Sequence, residues 1–324
     1  MPIAIVAERT GGPEILRRIE LPTPAADAGQ VLVKHTAIGV NFIDTYFRSG
    51  LYPWPVDRDL ILGSEAAGVV LALGENVDGF SVGDRVAYTI PNGAYVQTRA
   101  IDAKHLVKLP DAVSDEVAAA AMLKGLTAHY LLHRSYLPKK GQTVLFHAAA
   151  GGVGLIAGQW LAAKGVTAIG TAGGPEKCAL AAKHGYAHVI DYRAENFEER
   201  VKEITGGAGV DAVYDSVGKD TIAGSMACLK TFGTLVNFGQ SSGPYLDFKL
   251  SDLAAGSFTV TRPVLFHFTA DRNYLETASA DLFEMIQNRT LQIKINQRYS
   301  LANAADAHRA LEGRKTTGST VLIP

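Results

Sequence analysis

The glycine-rich stretch at residues 148–154, Ala-Ala-Ala-Gly-Gly-Val-Gly, has the residue types and spacing of a turn that binds a dinucleotide. Against the pattern G-x-G-x-x-G, Ala149 replaces the first glycine, while Gly151 and Gly154 match the other two. Glycine lets the backbone approach a pyrophosphate and lets a helix pack closely on a strand. An apolar run precedes the turn, and a helix predicted over 155–164 would offer its N-terminal N–H groups to the phosphates. This context favours a dinucleotide site over an ordinary structural turn.

The residues at the tips of the next two predicted strands indicate which dinucleotide is bound. In NAD-binding proteins, a carboxylate about 20 residues beyond the glycine turn binds the ribose 2′-hydroxyl. Here the second predicted strand ends near Gly173 without a carboxylate, Lys177 lies one turn into the following helix, and Arg193 follows the third strand. A charge-assisted bond to a 2′-phosphate contributes about 1.5 to 3 kcal/mol, a factor of about 10 to 150 in affinity. The sequence therefore predicts NADPH, and the alternative is that Lys177 and Arg193 are solvated surface charges.

Three regions of different texture must position these residues. Residues 1–124 are rich in glycine, proline and short β-type runs, which is typical of a barrel-like β domain. Over 125–262, strand-like runs alternate with helix candidates, which predicts a doubly wound parallel sheet and an α/β fold. Residues 263–324 hold two helix candidates and a final strand. Because this third region is too short for a domain of its own, we expect it to fold back onto the first.

The composition limits the possible classes of protein. A chain of 324 residues that is 47% hydrophobic is long enough to bury two cores. A formal net charge of -1 disfavours a nucleic-acid partner. Two cysteines exclude a disulfide framework and a multi-thiolate zinc site. No apolar stretch approaches the roughly 20 residues that span a bilayer, and the start does not have the pattern of a secretory signal. We expect a cytoplasmic protein without a membrane partner.

Several ordered motifs resemble the medium-chain dehydrogenase/reductase superfamily over essentially the whole chain. They are Gly-Ser-Glu-Ala-Ala-Gly at 63–68, Val-Gly-Asp-Arg-Val at 82–86, and the glycine turn. The resemblance implies a GroES-like β-barrel catalytic domain formed by 1–124 and 263–324. A Rossmann domain, the doubly wound sheet of 125–262, would be inserted into it.

The resemblance also bears on the catalytic metal of this superfamily. Its zinc-dependent members bind the metal through Cys, His and Cys, and the matching positions here are Asn41, Ser64 and Leu123. None of these is a good zinc ligand, and leucine has no donor atom. The four-cysteine structural zinc lobe is also missing. We therefore expect a member that works without metal.

The closer resemblance is to the NADPH:quinone oxidoreductases, the zeta-crystallin-like branch. It is carried by the segments 41–52, 146–147, 214–218, 238–243 and 261–263. It implies hydride transfer from NADPH to a quinone or a related conjugated carbonyl. It also implies a homodimer that pairs through the edge of the Rossmann sheet, where an edge strand is predicted over 257–261.

The same resemblance assigns roles to individual residues. Asn41 and Asp44 are expected near the nicotinamide and its ribose. Tyr46 and Tyr52 are expected to line the substrate cleft, where they can stack on a flat ring and donate a hydrogen bond to a quinone oxygen. These four are the expected catalytic residues. The residues expected to contact NADPH are Asn41, Phe42, Thr127, Tyr130, Gly151, Gly152, Val153, Gly173, Lys177, Tyr192, Ser216, Phe238, Gly239, Ser241, Phe266 and Arg314.

Simpler interpretations of some of these residues stay open. Tyr46 and Tyr52 are alternatively core or interface aromatics. Asp44 is alternatively a helix cap or an ion-pair partner of Arg48, four residues further on. Arg314 is alternatively a surface charge.

Two other functions stay open as well. One is an NADPH-dependent enone or alkenal reductase on the same fold, and the other is a structural or RNA-binding protein that retains the fold. The residues show no clear catalytic dyad, since His147 follows a predicted buried strand and is interpreted as a packed side chain rather than an acid. A quinone reductase is compatible with this, because a reduced quinone can take its proton from water.

Overall fold

The computed structural model describes residues 1–56 and 59–324, and the chain divides into two compact units. The second unit extends past Arg262, the predicted end of the inserted domain, to Phe268, whose ring stacks on that of Tyr130 in the same unit at a centroid distance of 4.7 Å. The first unit comprises 1–124, 269–287 and 293–324, and the second comprises 125–268 and 288–292.

The first unit is built mainly on antiparallel strands. Numbered along the chain, its strands are β1 (Ile3–Ala7), β2 (Arg17–Glu20), β3 (Gln30–Val40), β4 (Leu60–Ile61), β5 (Glu65–Leu73), β6 (Arg85–Thr89), β7 (Thr98–Asp102), β8 (Leu106–Lys108), β15 (Ile295–Ser300) and β16 (Ser319–Ile323). The main sheet has the order β15-β16-β3-β5-β6-β8, with β7 also paired to β3, and a smaller sheet has the order β2-β1-β4.

The long strand β3 organises this unit because it pairs with three other strands. Val31, Val33 and Ile38 on β3 are fully buried and pack in a core with Tyr88 and Tyr95. The final strand β16 pairs antiparallel with β3, with Thr320 opposite Val40. The end of the third region therefore lies in the first unit, whereas 263–268 and 288–292 belong to the second.

The second unit contains a six-stranded parallel sheet of order β11-β10-β9-β12-β13-β14. This is the doubly wound order, in which the chain starts at the centre, moves to one edge and returns to build the other. The predicted parallel sheet is confirmed, and the predicted edge strand is present as β14. The strands are β9 (Thr143–Phe146), β10 (Thr167–Ala172), β11 (His188–Asp191), β12 (Val210–Asp215), β13 (Leu229–Asn237) and β14 (Thr259–Thr261).

Nine α-helices are found in the described part of the chain. Their ends follow ordinary capping rules: α1 stops at Gly50, which takes the left-handed conformation (φ 82°), and α4 begins with Pro175. The helices are α1 (Phe42–Ser49), α2 (Asp115–Tyr130), α3 (Gly152–Ala163), α4 (Pro175–Ala182), α5 (Phe197–Ile204), α6 (Ile222–Ala227), α7 (Leu265–Thr269), α8 (Arg272–Gln287) and α9 (Ala304–Glu312). None of them, over 1–56 and 59–324, has the length and apolarity of a membrane-crossing segment.

Candidate active site

The glycine turn joins the central strand β9 to helix α3. Ala148 adopts a left-handed conformation (φ 56°), and the N–H of Gly151 donates to its carbonyl oxygen at 3.0 Å. A Cβ atom on Gly154 would lie 2.4 Å from that same oxygen, so a side chain has no space there. No side chain caps α3 at Gly151, which leaves the first N–H groups of a twelve-residue helix for a ligand. The turn therefore fits a pyrophosphate, as the sequence predicts.

The turn after β10 lies beside the end of β11. A Cβ atom on Gly173 would lie 2.5 Å from the Tyr192 hydroxyl and 3.1 Å from Nε of Arg193. The structure thus brings Gly173, Tyr192 and Arg193 together, and Lys177 follows in the first turn of α4. The carboxylate of Asp191, the last residue of β11, accepts hydrogen bonds from the N–H groups of Gly174 (2.8 Å) and Arg193 (3.0 Å). The hydrogen bond from the Gly174 N–H lowers the pKa of Asp191 below its ordinary value, and the bond from the Arg193 N–H lowers it further.

Four more of the predicted cofactor residues meet at the carboxyl ends of β12 and β13. The N–H of Ser241 donates to the carbonyl of Ser216 at 3.1 Å, and that of Phe238 donates to the carbonyl of Asp215 at 2.8 Å. A Cβ atom on Gly239 would lie 2.7 Å from the Ser216 carbonyl. Ligands bind at this end of the strands in open α/β sheets.

The remaining predicted cofactor residues lie elsewhere in the two units. Thr127 and Tyr130 are buried on α2, and Phe266 is half-buried on α7. Arg314 belongs to the first unit and follows α9 in a left-handed conformation (φ 55°). Their roles toward NADPH stay predictions.

In the first unit, Asn41 is the N-cap residue that precedes helix α1, and the side chain of Asp44 caps this end of the helix. The backbone N–H of Asn41 donates to Asp44 Oδ2 at 2.9 Å. The hydroxyl of Ser64 donates to Asp44 Oδ1 at 2.7 Å, and that of Tyr95 to Oδ2 at 3.1 Å. Of the two alternatives for Asp44, the helix cap is confirmed. Its pairing with Arg48 is wrong, because the Arg48 guanidinium reaches Glu312.

The pairing of Arg48 with Glu312 also ties α1 to α9. Nη1 of Arg48 donates to Glu312 Oε2 at 2.9 Å, and Nη2 donates to Oε1 at 2.5 Å. Next to this pair, Nε2 of His308 lies 2.9 Å from the Tyr95 hydroxyl. A buried chain of polar groups thus runs from Asp44 through Tyr95 to His308. Sequence reasoning missed Tyr95 and His308, which are far apart in the chain and stand in no recognisable spacing.

Burial raises the pKa of Asp44 to about 7, against the hydrogen bonds from Ser64, Asn41 and Tyr95, which lower it. The folded protein therefore holds a proton on Asp44 more tightly than the unfolded chain does. The stability contributed by the protonated group is lost as the pH rises from the unfolded pKa toward 7.

We expect the variant Asp44→Asn to gain in stability relative to the wild type as the pH rises. The gain is about 1 kcal/mol for each pH unit between pH 5 and 6, and urea unfolding over this range measures it. Asp84→Asn is the control, because the hydrogen bond from Lys108 lowers the pKa of Asp84 and its charge stays constant in this range. Parallel pH curves for Asp44→Asn and the wild type would contradict the raised pKa.

Glu65, at the start of β5, contacts the segments in which the zinc-dependent members of the superfamily carry their metal ligands. It follows Ser64 directly and accepts hydrogen bonds from Asn41 and Leu123. Its Oε1 accepts from Nδ2 of Asn41 (2.9 Å) and from Nζ of Lys124 (2.5 Å), and its Oε2 accepts from the N–H of Leu123 (2.6 Å). Both Glu65 and Lys124 are buried. In the sequence, Glu65 stands within the motif at 63–68, and its residue type and spacing do not indicate this role.

These contacts do not fit a zinc ion. The Asn41 amide donates to Glu65, the Ser64 hydroxyl donates to Asp44, and Leu123 has no donor atom in its side chain. No group of three His, Cys, Asp or Glu side chains able to hold a metal is found among residues 1–56 and 59–324.

The rings of Tyr46 and Tyr52, which follow Asp44 closely in the sequence, pack against each other with a centroid distance of 5.3 Å. Tyr46 is buried and also contacts Phe42 at 6.3 Å, and Tyr52 contacts Phe47 at 5.5 Å. These contacts show how the aromatic group is held. The cleft role of both tyrosines stays a prediction.

The fold and the glycine turn define a dehydrogenase or reductase with a GroES-like domain. In agreement, the family described as "Alcohol dehydrogenase GroES-like domain" matches residues 27–111, and the family described as "Zinc-binding dehydrogenase" matches residues 184–322.

Relatives along the whole chain narrow this class. A quinone oxidoreductase of Pseudomonas aeruginosa is 50% identical and covers 97% of each chain. The crystal structure of Escherichia coli quinone oxidoreductase complexed with NADPH is 47% identical, with a TM-score of 0.96 over 99% of this chain and 100% of that one. A 2-haloacrylate reductase of a Burkholderia species is 42% identical over 100% of this chain and 99% of its own. The chain belongs to the quinone oxidoreductase family of the medium-chain dehydrogenase/reductase superfamily.

Proposed function

We propose that this protein is an NADPH-dependent quinone oxidoreductase that works without metal. The observation that carries the proposal is the pair of adjoining turns at the carboxyl ends of the parallel strands. The first has a bare backbone for the pyrophosphate, from Gly151 to Gly154. The second places Tyr192 and Arg193 beside Gly173, and its Asp191 carboxylate accepts hydrogen bonds from backbone N–H groups. Relatives over the full length of the chain carry the same activity in their names.

Bound NADPH would supply a hydride from C4 of its nicotinamide. Residues 151–153 would bind the pyrophosphate, and Gly173, Lys177 and Tyr192 the adenosine 2′-phosphate. Asn41 and Asp44 would lie at the nicotinamide end, and Tyr46 and Tyr52 would orient the quinone. A quinone that accepts the hydride needs only one proton, which water can supply, so the chain contributes orientation and exclusion of water.

We expect the purified protein to oxidise NADPH with a much higher kcat/KM for 1,4-benzoquinone than for an acyclic enal or 2-chloroacrylate. The two further acceptors test the conjugated-carbonyl alternative, which the 42% identical 2-haloacrylate reductase favours. Spectrophotometric assay at 340 nm measures all three rates. A strong preference for the enal or the haloacrylate would overturn the quinone assignment while leaving the NADPH assignment intact. Absence of heat on titrating NADPH into the protein would overturn both, and tight salt-dependent RNA binding would then favour the non-enzymatic alternative.

We also propose that the protein is a homodimer that pairs through β14. This strand is the edge of the second unit's sheet, and its open side can accept a second strand. Large apolar side chains of the same unit are exposed, namely Phe232, Leu246, Phe248 and Leu250. Exposed apolar side chains on one unit are a common mark of an interface. A second copy of the chain would cover them.

Sedimentation velocity at micromolar concentration should give a dimer for the wild type and a larger fraction of monomer for Phe232→Glu. Val82→Glu is the control, because Val82 is also exposed but lies in the first unit. A monomeric wild type would refute the dimer. We further propose a cytoplasmic location, which the two free cysteines support.

A further inference from the structure

Four buried polar side chains lie beneath the glycine turn in the second unit: His147, Thr171, Asp215 and Ser225. Nδ1 of His147 lies 2.9 Å from Oγ1 of Thr171, and Nε2 of His147 lies 3.0 Å from Oγ of Ser225. The Ser225 hydroxyl donates to Oδ2 of Asp215 at 2.7 Å. All four are at most 3% exposed. We refer to them as the histidine chain.

The hydrogen bonds of the histidine chain have one consistent direction. Because Ser225 gives its only proton to Asp215, it must accept from His147, so the imidazole carries its proton on Nε2. Nδ1 is then an acceptor and takes the proton of the Thr171 hydroxyl. Each donor points toward the Asp215 carboxylate, whose other oxygen accepts from the N–H groups of Val217 (2.8 Å) and Gly218 (3.0 Å).

Three members of the histidine chain lie next to loops of the proposed NADPH site. His147 immediately precedes the glycine turn, and its own N–H donates to the carbonyl of Tyr214 on β12. Thr171 lies two residues before Gly173, and its carbonyl accepts from the N–H of Ala149 at 2.9 Å. Asp215 immediately precedes Ser216. Three strands, β9, β10 and β12, are therefore linked side chain to side chain at the points where their cofactor loops begin.

Helix α5 closes the remaining side of the imidazole. The ring of Phe197 meets that of His147 edge-on at a centroid distance of 5.0 Å. Burial lowers the pKa of His147, and the charge of Asp215 opposes this. A neutral imidazole with a single proton is what the geometry requires, since a second proton on Nδ1 would face the hydroxyl of Thr171 and break the direction of the chain.

We propose that His147, held as the Nε2-protonated tautomer by Thr171 and Ser225, is a positioning residue that fixes the three NADPH loops relative to one another. This inference rests on the proposed function, because it concerns the same cofactor. The histidine chain does not touch the reacting atoms. It acts by setting the distance between the pyrophosphate turn and the 2′-phosphate turn on one side, and the Ser216 loop on the other.

The first test is the tautomer itself, which is measured in the wild type. In protein labelled with ¹⁵N-histidine, long-range ¹H–¹⁵N correlation should show His147 protonated on Nε2 and unprotonated on Nδ1 throughout the neutral range. A ring protonated on Nδ1, or on both nitrogens, would overturn the inference. The signals that are present in the wild type and absent from the variant His147→Phe are assigned to His147.

The second test is NADPH affinity by calorimetry in Ser225→Ala and Thr171→Val. Thr171→Val removes one hydrogen bond of the histidine chain and Ser225→Ala removes two, while both keep the size of the side chain nearly unchanged. We expect the Kd for NADPH to rise roughly ten-fold for Thr171→Val, the effect of one buried hydrogen bond, and at least as much for Ser225→Ala. The value of kcat with saturating NADPH and benzoquinone should change less than two-fold, since the reacting groups are untouched. The control is Thr234→Val. Thr234 is a buried threonine on β13 that does not belong to the histidine chain, so this variant should bind NADPH as the wild type does.

The outcomes separate this inference from the proposed function. If the wild type binds NADPH and reduces quinone but both variants keep its Kd, the positioning role is overturned and the enzyme assignment stands. If the wild type does not bind NADPH, the assignment itself fails. A fall in kcat with an unchanged Kd would also count against positioning of the cofactor. Should one variant fail to fold, the other variant and the tautomer of the wild type still decide the question.

Discussion

Replacement of Glu65 by alanine should lower the free energy of unfolding by about 3 to 5 kcal/mol, the usual effect of removing one partner from a buried ion pair. The reason is Lys124, whose ammonium group is buried and donates to Glu65 at 2.5 Å. Without the carboxylate, that charge stays in the interior with no counter-charge from Glu65. The Asn41 amide and the Leu123 N–H lose their acceptor as well. Urea unfolding at neutral pH measures the effect.

Glu116→Ala is the matched control for this experiment. Glu116 also pairs with a cation, Arg298, at 2.8 Å, but both side chains reach solvent, with 39% of Glu116 and 53% of Arg298 exposed. Exposed pairs of this kind contribute about 0 to 1 kcal/mol. Similar losses in the free energy of unfolding for Glu65→Ala and Glu116→Ala would contradict the prediction that the buried contacts of Glu65 stabilise the first unit.

Replacement of Lys177 by alanine should raise the Kd for NADPH about 10- to 150-fold, which corresponds to one charge-assisted hydrogen bond to the 2′-phosphate. NADH has no phosphate at this position, so its Kd should hardly change. Lys177 is half-buried in the first turn of α4, after Gly173 and Gly174. Calorimetric titration of both nucleotides measures the two constants.

The control for Lys177→Ala is Lys183→Ala, at the other end of the same helix. Lys183 is exposed and follows the last residue of α4. Its removal changes the net charge by the same amount, so a general electrostatic effect would appear equally in both variants. Equal weakening of NADPH and NADH by Lys177→Ala would refute its assignment to the 2′-phosphate.

The architecture of the second unit was predictable because local signals repeat along it. Each parallel strand is a short apolar run, and the glycine turn lies where an apolar run meets a helix. Gly151 and Gly154 could be recognised because the need for a bare backbone restricts the residue type strongly. The edge strand Thr259–Thr261 was also predictable, although it begins two residues later than expected.

The polar clusters were not predictable to the same extent, because their members come from distant parts of the chain. Glu65 meets Lys124, Asp44 meets Tyr95, and Tyr95 meets His308 only after the first unit has folded. Hydrogen bonds between side chains depend on positions within a few tenths of an ångström, which no residue spacing encodes. For Asp44, the spacing to Arg48 allowed a helical ion pair, but tertiary structure supplied Glu312 as a better partner for the arginine.

The pairing of β16 with β3 has a consequence for biosynthesis. Val40 is synthesised before the second unit, whereas its partner Thr320 is synthesised after it. During translation the side of β3 that β16 will occupy stays open, while the whole second unit has already emerged and can fold by itself. An interrupted nascent chain would therefore hold a finished nucleotide-binding unit attached to an unfinished sheet with a bare edge, a form that favours aggregation and recognition by chaperones.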